Sequence, residues 1–324
     1  MNAPAQYGRS VLAVALYLHL YQLWPLARAA ATRGDWFGCQ LSPATIQRAV
    51  RDLAQTLVPA EQRLKAALSA AAVLGVDETG RRVGGALGYV HVARTEELTH
   101  YAYDSRRGKA AMDEIGVLPR FQGTLVRDGF SSYRAYQQCQ HSLCNAHLLR
   151  DLIFIGESCP PHKTWTEPLA QLLRDIKQAA DHAPNGLNQQ RQAAFRQRYE
   201  QLLAQAETIP PPAPARPVNT QLKPHTLIKR LRQWSPEILR FMSDPKVPFD
   251  NNGSERDLRM IKLQQKISGC FRTPNGARRF CRVRSYLATA RKQGYSLLQA
   301  LQRALHGKPL PLHLVNARSQ PAPT

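Results

Sequence analysis

From the N-terminus to about Ala72, apolar residues recur at helical spacing, which predicts a helical region. In "LSPATIQRAVRDLAQTL" the apolar residues Ile46, Val50, Leu53 and Leu57 make one stripe, Ser42 stands at the N-cap and Pro43 at the first helical position. That helix reads as a packing helix, although its Ser-Pro-x-Thr-Ile start and nearby bases also suit a small DNA-contacting helix. The run "VLAVALYLHLYQLWPLA" (Val11 to Ala27) reads as a buried helix; interrupted by His19, Gln22 and Pro25, it is too broken to span a membrane.

The pattern changes at "AVLGVDETG". Small and β-branched residues lead into Asp77, which is expected to end a strand before a turn. "GALGYVHVAR" and "LTHYAYD" follow as two strands, and "SRRGKAAMDEIGVL" as a helix. "FQGTLVRDGFSSY" holds a short strand ending at Asp128, and "QHSLCNAHLLRDLIFI" a strand running into a helix. Three neighbouring strands followed by alternation with helices predict an α/β chain, a mixed sheet with helices packed on it. Residues 160–245 read as helical and irregular around the proline-rich "IPPPAPARPV", helices return after Pro248, and the tail from Pro309 reads as poorly ordered.

Charge adds a partner to this outline. The chain has 324 residues, and its 44 Lys and Arg against 23 Asp and Glu give +21. From Arg216 onward there are 21 Lys and Arg against 5 Asp and Glu, a net of +16. Such a surface attracts polyanions, nucleic acid above all. Six scattered cysteines show no secreted disulfide framework, which points to a reducing compartment. No secretory leader is evident.

Acids at strand ends lie at the edge of a sheet, where neighbours converge. Asp77 and Asp128, joined by Glu255 at a helix start, would make an oxygen-rich site suited to Mg²⁺ or Mn²⁺, with room for two ions. Each acid has a plainer reading as well. In "VPFDNNGSERDLRMIK", Asn252 and Glu255 have the spacing of a capping box, the amide at the N-cap and the glutamate at N3. Glu78 neighbours Asp77 but points to the opposite strand face, so it reads as a supporting residue. Cys144-x-x-His147 and Cys159-x-x-His162 have zinc-ligand spacing, but the second pair contains two prolines, and packing is the favoured role for the first. His91, His100 and His141 sit in strand-like patterns and read as packing or surface residues.

Taken in order, "GVDETG", "LVRDGFSSY", "HSLCNAHLLRDL" and "PFDNNGSERDLR" resemble the core of the insertion sequence 66 family of transposases, of the Asp-Asp-Glu group. The resemblance runs from about Tyr7 to about Gln302. It implies a ribonuclease-H-like mixed sheet flanked by helices, with a helical N-terminal region (1–72), a core in two parts (73–159 and 246–306), an all-helical insertion between them (160–245) and a proline-rich tail (307–324). It implies that Asp77, Asp128 and Glu255 are the catalytic metal ligands, that Arg256, Arg259, Lys262 and Lys266 flank DNA, and that Asn251, Asn252, Cys144 and His147 support the site. The implied reaction is metal-dependent phosphodiester cleavage at the element ends and strand transfer into target duplex, by a homodimer in the bacterial cytoplasm, with accessory proteins of the element as further partners. A ribonuclease-H-like endonuclease without strand transfer, or a DNA-binding relic without catalysis, are the rival readings. Members usually carry an N-terminal zinc-binding and DNA-recognition region. Here the pre-core helices follow Met1 almost at once, which implies a short, truncated or partner-dependent form.

Overall fold

The computed structural model describes residues 8–38, 40–210 and 223–314. In chain order these contain α1 (Arg9–Leu16), a π-helical turn (Tyr17–Tyr21), α2 (Leu26–Phe37), α3 (Pro43–Thr56), α4 (Val58–Ser69), β1 (Val73–Val83), β2 (Ala86–Arg94), β3 (Thr99–Asp104) and α5 (Lys109–Ile115). There follow β4 (Thr124–Arg127), β5 (Gln140–Leu143), α6 (Asn145–Ser158), α7 (Lys163–Asp181), α8 (Gln189–Glu207), α9 (Pro224–Gln233), α10 (Ser235–Ile238), α11 (Arg240–Ser243), α12 (Asn252–Ser268), α13 (Pro274–Lys292) and α14 (Leu297–Leu305). The five strands make a mixed sheet, so the expected α/β class with a mixed sheet is the observed one. The chain divides into two compact units. One holds the segments up to Gly123, Ser132–Cys139 and everything from Gly253; the other holds Thr124–Ser131 and Gln140–Asn252.

In the first unit β1, β2 and β3 form an antiparallel meander, with Val76 opposite Ala93 and Val92 opposite Tyr101. Strand β1 is longer than its pattern suggested. Asp77 does not end it: the strand continues to Val83, and the reversal falls at Gly84 and Gly85, both at positive φ (59° and 84°). A two-residue hairpin in this geometry needs φ above zero at both positions, which two glycines adopt at little cost. "ETG" resembles a turn in composition, yet Gly80 pairs in register with Tyr89.

The outer side of β3 is closed by α13. Ser285 Oγ accepts from the Tyr101 amide (2.8 Å) and Thr289 Oγ1 from the Thr99 amide (3.1 Å). An edge strand is thereby covered instead of left open for pairing. The core of this unit includes Leu16, Ile46, Leu53, Val90, Tyr101, Leu258, Phe280 and Leu301, drawn from the N-terminal helices, the strands and the last three helices.

The apolar run from Val11 to Ala27 is not a single helix. After the π-helical turn the chain breaks at Leu23 (φ 65°), and α2 starts beyond Pro25, which has no N–H to continue a helix. Buried Arg284 donates to the carbonyls of Leu20 and Tyr21 (both 3.2 Å), so the end of the π turn is satisfied by a side chain from α13. The segment from Pro309 is also ordered at its start: Leu310 is buried and its amide donates to Tyr286 Oη (2.9 Å). Residues 315–324 and most of the proline-rich "IPPPAPARPV" lie outside the described residues.

The second unit pairs β4 with β5 in parallel, Thr124 opposite Gln140. Its helices α6 to α9 pack in sequence around Leu152, Trp165, Leu173, Tyr199 and Leu231, all buried.

Candidate functional site

The half-buried Asp77 lies within β1, opposite Val92, and its Oδ1 accepts from the Glu78 amide at 2.8 Å. Glu78 is held differently. Its side chain is 1% exposed, Arg107 reaches Oε1 at 2.9 Å, and the Tyr133 hydroxyl donates to Oε2. Both its oxygens are occupied by fixed donors. Glu78 therefore ties β1 to the segments carrying Arg107 and Tyr133.

Glu255 stands in the first turn of α12 and is half-buried. Asn252, expected at the N-cap, is already helical, and its amide donates to Asp250 Oδ1 at 2.9 Å. The start of the helix is set instead by the Asp250 carboxylate and by Asn251, a buried residue whose amide donates to Cys144 Sγ at 3.1 Å.

What fixes α12 is a residue the sequence did not single out. Asp257 forms ion pairs with Lys292 Nζ (2.9 Å) and Arg94 Nε (3.3 Å) and accepts from Thr99 Oγ1 (3.1 Å). Tyr101 Oη donates to the Asp257 carbonyl at 3.1 Å. Burial pushes the Lys292 ammonium down to about 8, Asp257 pulling it up and Arg94 pressing it down. Arg94 packs so closely on the helix start that a Cβ at Gly253 would lie 1.9 Å from Nη1. A larger residue there would have to push the end of the Arg94 side chain aside.

At the other end of α12 the buried Arg81 donates to the carbonyls of Ile261 (3.1 Å) and Gly269 (3.5 Å) and to Gln264 Oε1, and it stacks over Phe271. A guanidinium satisfies last-turn carbonyls and complements the helix dipole there. Helix α12 is thus pinned to the meander at both ends. Its outward face carries Arg256, Arg259, Lys262 and Lys266, all exposed and outside any ion pair among the described residues. Leu263 and Ile267 share that face.

In the second unit Asp128 follows β4 directly, as expected for a strand-end acid, and its Oδ1 accepts from the Phe130 amide (2.9 Å). The preceding Arg127 is fully buried. It donates to the Asp128 carbonyl (2.8 Å), to Glu237 Oε2 (2.6 Å) and to His141 Nδ1 (3.0 Å). The start of α6 is bound to the segment before α12: the Asn145 amide donates to the Phe249 carbonyl (3.1 Å), its side chain to the Ile238 carbonyl (3.0 Å). Burial pushes the Cys144 thiol up, partly offset by the amides of Asn251, His147 and Ala146. His147 is half-buried in the first turn of α6. Cys159 and His162 do not join Cys144 and His147 in a ligand cluster among the described residues. His162 is buried and accepts from Trp165 Nε1 at 3.0 Å. His91 and His100 are buried in β2 and β3, His91 bonded to the Arg106 carbonyl (3.4 Å), His100 beside Glu61 (3.4 Å).

The residues that sequence reasoning missed are Asp257, Arg94, Lys292, Arg81 and Arg127. A charged residue opposite Glu255 on the helix was the available signal for Asp257. Its partners are remote, Thr99 lying 158 positions away.

A profile of the Transposase IS66 family matches residues 4–279, an interval that contains Asp77, Asp128 and Glu255. Among curated proteins no match was found. No helix among the described residues is long and apolar enough to cross a membrane.

Proposed function

Since this chain belongs to the IS66 family of transposases, we propose that it is an Asp-Asp-Glu enzyme which cuts phosphodiester bonds at the ends of an insertion sequence and joins the freed 3′-hydroxyls to target DNA. The observation that carries this reading is the family match, which runs through all three acids in chain order. An antiparallel three-strand meander, a helix, and then a parallel pair followed by a helix support a ribonuclease-H-like core.

Asp77, Asp128 and Glu255 would hold the divalent ions, two in number. Their donors are carboxylate oxygens, the hard ligands that suit Mg²⁺ or Mn²⁺. Asp128 spends only Oδ1 on its own turn, while Glu78 has both oxygens engaged and is unsuited to the role. When bound, such ions activate the attacking oxygen and stabilise the leaving one. The chain's own contribution is positioning. The anchors at Asp257 and Arg81 hold the helix of Glu255, Arg127 holds the backbone at Asp128, and Cys144 with Asn251 fixes the entry to α12. Arg256, Arg259, Lys262 and Lys266 would lie along the phosphate backbone, adding affinity without reading sequence. A dimer on paired element ends and accessory proteins of the element belong to the same proposal.

The test uses pre-cut duplexes taken from inverted repeats flanking the gene, a supercoiled target and Mg²⁺. Joined products are expected. Cleavage without joining would reduce the enzyme to a nuclease, and binding alone would sink the catalytic reading.

A further inference from the structure

We infer that α2 and α3 form a helix–turn–helix unit that reads the base edges of duplex DNA through the exposed face of α3, beside an arginine-lined cleft that holds the phosphate backbone. The inference rests on DNA as the partner, as proposed above, and not on the three acids.

The turn is built for this pairing. Helix α2 closes at Gly38 in the left-handed region (φ 62°), whose amide returns to the Gly34 carbonyl at 2.9 Å. Leu41 is buried, and Ser42 Oγ then accepts from the Thr45 amide at 3.1 Å, starting α3 with Pro43 at its first position. The two helices pack on each other across this short connection, the arrangement in which a second helix is presented to the major groove.

Helix α3 has two distinct faces. Ile46, Ala49 and Leu53 are buried in the core. Gln47, Arg48, Arg51 and Gln55 are exposed, and Gln47, Arg51 and Gln55 form a row at intervals of four residues. Arginine pairs with the two acceptors of guanine, glutamine with the donor and acceptor of adenine. Glutamine can donate to a phosphate oxygen, but it adds no charge there, whereas at a base edge it matches both the donor and the acceptor of adenine, so the composition of this row suits bases.

The row opens at Arg51 and Gln55 into a cleft of about 280 Å³, whose lining also includes Arg279 and Arg282 of α13. Arg282 is fixed by Glu61 Oε2 (2.6 Å) and the Ala54 carbonyl (3.2 Å). Arg51 pairs only with its exposed neighbour Asp52 (3.0 Å), a surface pair that phosphate readily displaces. Helix α13 carries six Lys and Arg and no acid. A base-reading row with phosphate holders at its flank is the division of labour found in DNA recognition generally.

The experiment selects bound duplexes from a library with a randomised core, using the full chain in the presence of chelator, so that failure of the catalytic reading does not affect it. Wild type is expected to enrich a consensus. The doubly substituted Gln47→Ala/Gln55→Ala protein should lose preference for that consensus by roughly 10- to 100-fold per contact, while binding unrelated duplex as before. Arg51→Ala/Arg279→Ala should weaken binding and lower its salt dependence. Circular dichroism confirms folding; Gln47, Arg51 and Gln55 are exposed and Arg279 is half-buried. A wild type that enriches no consensus, or a double glutamine variant that retains the same consensus with undiminished preference, would overturn the inference.

Discussion

Two acid pairs, Asp77 with Glu78 on β1 and Glu255 with Asp257 on α12, divide their work in the same way by different geometry. On the strand, successive side chains point to opposite faces, so adjacent acids part company. On the helix, a spacing of two residues turns the side chains by roughly 200°. In each pair one acid is locked among cations and hydroxyls: Glu78 by Arg107 and Tyr133, Asp257 by Lys292, Arg94 and Thr99. The other, Asp77 or Glu255, is half-buried and is the proposed ligand. The lesson is that acids close in sequence here are not alternates for one role. Glu78 and Asp257 hold the frame, and Asp77 and Glu255 are the members proposed to be aimed at the ions.

The largest expected effect tests the aimed members. Asp77→Ala, Asp128→Ala and Glu255→Ala should each lower DNA cleavage by roughly 10²–10³-fold or more while duplex binding is retained. Full activity in Glu255→Ala would break the division on the helix. Next comes a locked member. Asp257→Ala leaves Lys292 and Arg94 without their shared carboxylate, and should cost about 2–4 kcal/mol in urea unfolding. An unchanged midpoint would show that the network does not hold α12.

The pH dependence is smaller. Burial holds Lys292 near 8 in the fold against 10.5 for the ordinary group, so between these values the unfolded chain binds more protons. Stability should therefore rise with pH across that window, by at most about 1.4 kcal/mol per pH unit, and the gain is lost as pH falls through 8. Lys292→Met should flatten this rise in denaturation midpoints taken along the window. Smallest of all, Lys262→Ala/Lys266→Ala on the outer face should weaken DNA binding uniformly across sequences. The slope of log affinity against log salt should fall by about 0.9 per lost contact, with no change in melting temperature.

Much of the outline was legible in the chain. The cap at Ser42, the helical stripe of α3, the short strand ending at Asp128 and the strand running into α6 all follow from local spacing. The motif order around "VDET", "CNAH" and "DNNGSERD" was sufficient for the family. Where reading failed, the competing signals were local too. "ETG" had a turn's composition inside a strand, and the apolar run from Val11 to Ala27 concealed a break at Leu23. Asn252, expected at the N-cap, lies one step inside the helix, its amide donating to Asp250 two residues earlier.

The sequence by itself determined which residues have chemistry to offer: the three acids, the basic last third and the two-faced helix after Ser42. Only the tertiary structure decided what holds Glu78 and Asp257, which arginines are buried, and that Arg94 packs against the start of α12 at Gly253. The reason is physical. Periodicity along a chain specifies which way a side chain faces, whereas the cation that neutralises it comes from another element whose distance along the sequence carries no signal.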